Sequence, residues 1–264
     1  MYPLCIATVA YNKPEFIEYQ YRSLKKFIKN EFDFIVYDNT VNAQIKKEVY
    51  AECKRLEIQV VGVPDNSGGD STRAGASLDY ALNDIRKKLY AYVMLIDSDV
   101  FLVDYYDAVG SLYDCDLLGR YWNIEHIFYY TNHFIQLQLF KFPVDKNLSF
   151  APVITDSIQL DCGGALYSYL RDYPEIRHNA IKVIPRNFIT VGNIERYQVL
   201  NKNKLLLDFF KSECSIFENR SNFSELFQDV FIHLRAGSNW ISVDANKQKL
   251  RENNLYKLIN TLTQ

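Results

Sequence analysis

Tyr92-Val93-Met94-Leu95-Ile96-Asp97-Ser98-Asp99 is an apolar run that stops at two carboxylates. A short continuous apolar run with a polar stop reads as a fully buried strand. Upstream of it, Leu78, Leu82, Ile85 and Leu89 repeat at the helical period and mark one stripe of a long helix. Before that helix, residues 58–63 form another apolar run, halted by Pro64-Asp65-Asn66-Ser67-Gly68-Gly69-Asp70. A helix through Ile45, Val49 and Cys53 precedes it, and residues 34–37 form a strand ending at Asp38-Asn39-Thr40. The first strand covers residues 4–10, and Pro14 opens a helix whose inner face is Ile17, Tyr21, Leu24 and Ile28. The order β-α-β-α-β-α-β predicts a mostly parallel sheet with helices on both faces. Right-handed crossovers bring the strand C-termini to one edge, and ligands of such sheets bind outside that edge. Tyr11, Asp38, the loop 66–70 and the Asp97/Asp99 pair all fall there.

The second half is less regular. Residues 116–119 read as a strand, and Ile135-Gln136-Leu137-Gln138-Leu139 alternates like a half-buried antiparallel strand. Asp161-Cys162-Gly163-Gly164-Ala165 opens a helix through Leu170, and residues 230–234 form a late short strand. Residues 244–262 read as a polar helix with Leu250, Leu258 and Leu262 facing inward. No repeat and no linker separates the halves. The expected organisation is one α/β domain over 1–264, with a regular part at 1–103 and a less regular part at 104–264. A smaller antiparallel element belongs to the C-terminal half.

Composition removes several function classes. Thirty Lys and Arg stand against 32 Asp and Glu, a net charge of -2, without the basic excess of a nucleic-acid binder. An aromatic content of 15% excludes a disordered chain, because so much aromatic surface is buried. The five Cys form no CxxC pair and are odd in number, as expected of reduced thiols in a cytoplasmic protein. No basic n-region precedes the first strand, so no signal peptide is expected. The apolar stretch 90–96 is too short to span a bilayer. Neither a Gly-x-Gly-x-x-Gly turn after the first strand nor a Gly-x4-Gly-Lys-Ser/Thr loop is present, which argues against a dinucleotide dehydrogenase and a P-loop enzyme.

Asp97 and Asp99, at i and i+2, point to one side of an extended chain. Two clustered negative charges repel and call for a cation or a proton. A hard divalent ion held by carboxylate, with diphosphate oxygens completing its shell, meets that need. A solvated turn after a strand is the alternative. Gly163 and Gly164 remove side chains where backbone approaches a ligand closely.

Four stretches taken in order resemble the GT-A-fold glycosyltransferases, in particular the large family-2-like group of inverting enzymes. They are Ile6-Ala7-Thr8-Val9-Ala10-Tyr11-Asn12 with Pro14, Val36-Tyr37-Asp38-Asn39-Thr40, the segment from Asn66 through Arg73 to Ala81, and Ile96-Asp97-Ser98-Asp99. The resemblance covers roughly residues 4–103, and only Gly163-Gly164 and His233-Leu234-Arg235-Ala236-Gly237 extend it loosely beyond.

The resemblance implies a metal-dependent transfer of a sugar from a UDP-sugar to a hydroxyl of a glycan or glycoconjugate, with inversion. Tyr11 would flank the uracil, the Ala10 backbone would contact it, and Asp38 would accept from its ring N–H or from the ribose. Asn66, Ser98, Gly163 and Gly164 would line the sugar nucleotide, and Arg73 would reach its base or diphosphate. Asp97, Asp99 and a C-terminal His233 would hold Mn2+ or Mg2+. Asp161 or Asp156 would be the base, with Asp161 as a cap of the following helix left open. His233 as a packed strand-end residue is likewise open. A phosphatase places its Asp-x-Asp after the first strand, and a sugar nucleotidyltransferase needs a Gly-rich basic loop there; neither fits. A degenerate relative that binds sugar nucleotides without turnover stays as the alternative. His126, His133 and His178 show no partner pattern.

Overall fold

The alternating periods of the first hundred residues produce the expected elements. In the computed structural model β1 (Leu4–Ala10), α1 (Pro14–Phe27), β2 (Phe32–Asp38), α2 (Ala43–Arg55), β3 (Gln59–Gly62), α3 (Asp70–Arg86) and β4 (Tyr92–Asp97) follow one another. The described residues are 4–64, 69–155, 157–184, 194, 197–217, 223–235 and 244–264. Local signals set the helix starts. Pro14 opens α1, and Asn42 caps α2 by accepting from the amides of Gln44 and Ile45 at 2.9 and 3.1 Å. After β4 come β5 (Val100–Leu102), β6 (Leu117–Ile124), β7 (Ile127–Gln138), β8 (Val153–Thr155), β9 (Ile158–Leu160), α4 (Gly164–Asp172), β10 (His178–Ala180) and β11 (Val183–Ile184). The chain ends with α5 (Gln198–Lys202), α6 (Lys204–Ile216), β12 (Glu225–Phe227), β13 (Phe231–His233) and α7 (Ala245–Thr263).

Two compact units share these elements. One takes in Met1–Ile17, Lys29–Ser98 and Asp107–Ile181, the other Glu18–Ile28, Asp99–Tyr106 and Lys182–Gln264.

The first unit holds a seven-stranded sheet in the order β10-β6-β7-β4-β1-β2-β3. β4, β1, β2 and β3 run parallel, so their C-termini share one edge, as expected. Leu4, Cys5, Ile6 and Ala7 are all buried, as are Val93, Met94, Leu95 and Ile96, so the central strands are covered on both faces. Burying each of these larger side chains stabilises the fold by about 1.5–3 kcal/mol. Cys5, Ala7, Ile35, Val93 and Leu95 share one core with Leu78, Leu82 and Ile85 of α3 and Leu166 of α4. α2 meets β2 and β3.

Two readings of side-chain direction are corrected here. The alternating segment of β7 is an interior strand between β4 and β6, not a half-buried one. Gln136 is fully buried, and its amide is satisfied by the carbonyl of Ala108 and the hydroxyl of Ser111. Leu89 does not continue the α3 stripe. The helix stops at Arg86, and Leu89 takes a φ of 61° with 87% of its surface exposed.

Asp116 supplies a measurable pH effect in this unit. Burial alone would raise its carboxyl, but the Arg177 backbone N–H at 3.0 Å and guanidinium at 3.0 Å outweigh that and hold it below its usual value. A depressed folded-state carboxyl stabilises the fold above the ordinary carboxylate range and loses this contribution as pH falls through the lowered value. Urea midpoints of wild type and Asp116→Asn are therefore expected to differ at pH 7 and to converge as pH falls below the ordinary carboxylate range. A gap independent of pH would remove the ion pair from the account.

The second unit is built on the small antiparallel sheet β11-β12-β13-β5. α1 holds β5 in place: Gln20 donates to the Val100 carbonyl at 2.8 Å and the Ser23 hydroxyl accepts from the Leu102 amide at 3.2 Å. Asp244 caps α7, accepting from Asn246 and Lys247. The inner face of α7 is not the expected leucine stripe. Leu250 is 51% exposed, whereas Arg251 is fully buried beside Leu255, Leu258 and Ile259. Arg251 faces inward because a buried anion awaits it: its Nε donates to Glu213 at 2.6 Å and its Nη2 to Ser224 at 3.1 Å. Among the described residues no helix is long and apolar enough to cross a membrane.

Candidate active site

In the first unit the parallel register sets Ala10 beside Asp38 and Val9 beside Asp97. Asp38 and Asp97 thus flank the end of β1, two strand spacings or roughly 10 Å apart along the edge. Asp38 is 1% exposed. Its Oδ1 accepts from the Thr40 amide at 3.0 Å, and its Oδ2 lies 3.7 Å from Lys46 Nζ with no hydrogen-bond partner among the described residues.

Arg73 sits in the first turn of α3, where a cation is disfavoured by the helix dipole. Its guanidinium lies 5.4 Å from the Tyr11 ring centroid and donates to the Asn39 carbonyl at 3.4 Å. Its Nε is buried without a hydrogen-bond partner among the described residues. The Ala10 carbonyl accepts from the Asn39 amide at 3.0 Å, which ties the first two strand ends together. Tyr11, Asp38 and Arg73 thus surround an edge where a buried carboxylate oxygen facing Lys46 and a buried guanidinium nitrogen make no hydrogen bond among the described residues. A buried donor left so costs about 1–3 kcal/mol unless a ligand satisfies it.

Asp97 closes β4 and is partly exposed. Asn132 on β7 donates to its Oδ1 at 2.9 Å, and His133 Nε2 lies 4.0 Å from its Oδ2. Ser98 is buried at 7% exposure.

Asp161 is exposed, and its Oδ1 accepts from the Cys162 amide at 2.7 Å. The N-cap position of α4 belongs to Gly163, so the cap role does not fall to Asp161. Burial raises the Cys162 thiol well above its usual value, and Asp97 and Asp161 add to the effect. Both carboxylates are therefore near one inert thiol. The two glycines have an internal reason. Gly163 has φ 97°, and a Cβ there would stand 2.2 Å from the Tyr130 carbonyl oxygen; one on Gly164 would meet Leu160 at 2.7 Å. What approaches this backbone closely is the chain itself. Asn66 and Asp156 lie outside the described residues.

In the second unit β5 pairs with β13, Val100 opposite His233, and the Leu234 amide donates to the Asp99 carbonyl at 2.8 Å. Residues 134 positions apart thereby meet: His233 Nε2 is 3.5 Å from Asp99 Oδ1. Glu225 is the cross-strand neighbour of His233, and its Oε2 is 3.4 Å from Nδ1. All three side chains are at most 4% exposed. Two buried carboxyl groups on either side of one imidazole are a donor set that suits a divalent cation. A carboxylate behind the far ring nitrogen is the usual support of a ligating histidine. Arg251 completes the frame by donating from Nη1 to the Arg235 carbonyl, two residues beyond His233, at 2.6 Å.

Among solved structures, a mannosyltransferase from Pyrobaculum calidifontis in complex with GDP-Man and Mn2+ is similar to this chain. It aligns over 97% of this chain and 69% of its own, at 9% identity and a TM-score of 0.45. A provisionally assigned nucleotide-diphospho-sugar transferase from Desulfovibrio desulfuricans G20 aligns over 80% of this chain and 99% of its own, at 13% identity and a TM-score of 0.45. No family model and no curated protein matches the chain. Both overlaps are loose, so the site stands on its own geometry.

Sequence reasoning missed His133, Asn132, Glu225 and Arg251. A polar interruption, Thr131-Asn132-His133, between apolar stretches of one strand was the available signal for the first two. For Arg251 the signal was faint, a single charge at the helical spacing of Leu255 and Leu258, and for Glu225 there was none.

Proposed function

We propose that this protein is a metal-dependent glycosyltransferase that moves a sugar from a UDP-sugar to an acceptor hydroxyl on a glycan or glycoconjugate, with inversion. The observation that carries the reading is the buried Oδ2 of Asp38 at the strand edge, 3.7 Å from Lys46 and without a hydrogen bond among the described residues, framed by Tyr11 and by Arg73, whose buried Nε likewise has no hydrogen bond among them. A uracil ring offers the N–H that such a carboxylate accepts, and its face suits Tyr11 and the guanidinium. The separation of Asp38 from Asp97 matches the reach from a base to its diphosphate.

Asp99 and His233 in the second unit would hold Mn2+ or Mg2+, with Glu225 orienting the imidazole, and Asp97 is proposed as a carboxylate ligand at the strand edge of the first unit. A divalent ion there supplies charge neutralisation for the departing diphosphate. Arg73 adds to it from the helix start. Asp161 is the proposed base: with Oδ1 engaged by the Cys162 amide, Oδ2 takes the proton of the acceptor hydroxyl as it attacks the anomeric carbon. The same carboxylate charge stabilises an oxocarbenium-like transition state.

Calorimetry tests the base site directly. UDP is expected to bind more tightly than GDP, and Asp38→Ala is expected to weaken UDP by about 10-fold or more, the loss of one hydrogen bond to a charged acceptor. A GDP preference, or unchanged UDP affinity in folded Asp38→Ala, moves the base elsewhere. Metal-dependent UDP binding without turnover of any UDP-sugar would mark a binding protein of the same fold.

A further inference from the structure

We propose that His133 is itself a metal ligand, acting with Asp97 and biasing the protein toward Mn2+ over Mg2+; this rests on the divalent cation of the transferase reading. β7 runs antiparallel to β4 with Phe134 opposite Ile96, so the next pair along the ladder is His133 and Asp97. The two partners of Asp97 divide its oxygens. Asn132 Nδ2 donates to Oδ1 at 2.9 Å, which orients the carboxylate and leaves Oδ2 toward the imidazole. The ring of His133 is held from behind, with Nδ1 2.8 Å from the Thr131 hydroxyl oxygen. With that hydroxyl accepting from Nδ1–H, Nε2 presents its lone pair to Oδ2. The 4.0 Å between them is too long for a hydrogen bond and lies within twice a metal–ligand bond of ~2.1 Å. Both side chains are about a quarter exposed, 25% and 27%, so an ion reaches them from solvent.

The chemistry sets the preference. Mg2+ favours oxygen ligands and retains its waters, whereas Mn2+ accepts imidazole nitrogen. His133 is thus a selecting ligand as well as a holding one. Its partners on the same short segment make the arrangement a built one: Thr131 fixes the ring and Asn132 fixes the carboxylate.

The experiment uses the full chain and the metal alone. Mn2+ and Mg2+ are titrated into wild type, His133→Ala, Thr131→Val and Asp97→Ala, with folding followed by circular dichroism. Bound Mn2+ is examined by electron spin echo for 14N modulation. His133→Ala is expected to lose about 10-fold or more in Mn2+ affinity, to lose 14N modulation from one imidazole, and to change little toward Mg2+. Thr131→Val keeps the imidazole but releases its ring, and a smaller loss in the same direction is expected; it carries the test if His133→Ala does not fold. Wild-type Mn2+ affinity in His133→Ala, or in Thr131→Val where only that variant folds, with affinity lost in Asp97→Ala, overturns this role and leaves the metal site standing. Affinity unchanged in both His133→Ala and Asp97→Ala overturns the metal reading beneath it.

Discussion

Asp99→Ala is expected to abolish metal-dependent nucleotide binding, a loss of about 100-fold or more in Mn2+ affinity, while the chain stays folded. The reason is local to the β5–β13 pairing. Asp99 and Glu225 approach opposite nitrogens of His233, and all three are buried. Asp99 also pairs with His233, so thermal melting without metal separates any folding defect from loss of the ligand. Asp99→Asn separates charge from shape: it keeps the packing and is expected to lose most of the same affinity. The measurements are Mn2+ titration, UDP calorimetry with and without Mn2+, and thermal melting of each variant. Wild-type metal affinity in a folded Asp99→Ala protein would sink the site.

Arg251→Ala is expected to be the most destabilising single change in the α7 region, by about 3–5 kcal/mol. Arg251 is fully buried, and its guanidinium serves Glu213, Ser224 and the Arg235 carbonyl together. The change leaves Glu213, 1% exposed, without its ion-pair partner. For a chain of this size the loss corresponds to a fall in Tm of roughly 6–20 °C. Arg251→Lys keeps the charge but lacks the planar fork that reaches several acceptors at once, so an intermediate loss is expected. A double variant, Arg251→Met with Glu213→Leu, removes both charges and is expected to recover a large part of the stability. A fall in Tm below about 2 °C for Arg251→Ala would show that the network contributes nothing net.

The sequence by itself determined the layout of the first hundred residues. Apolar runs and helical stripes are local properties, and the crossover rule converts their order into a sheet edge. Asp38 and Asp97 were legible there because each stops an apolar run, and a parallel strand delivers its stop to that edge. The small antiparallel sheet was foreseen only in kind. Tertiary structure alone decided that His133 meets Asp97, that Glu225 backs His233, and that Arg251 turns inward while Leu250 turns out. Those outcomes depend on the register between strands distant in the chain and on a buried counter-charge. Periodicity carries neither, because it records which face of an element is apolar and not what lies opposite it. Arg251 shares the helical spacing of Leu255, Leu258 and Ile259, and the buried carboxylate of Glu213 is what lets that inward position hold a cation.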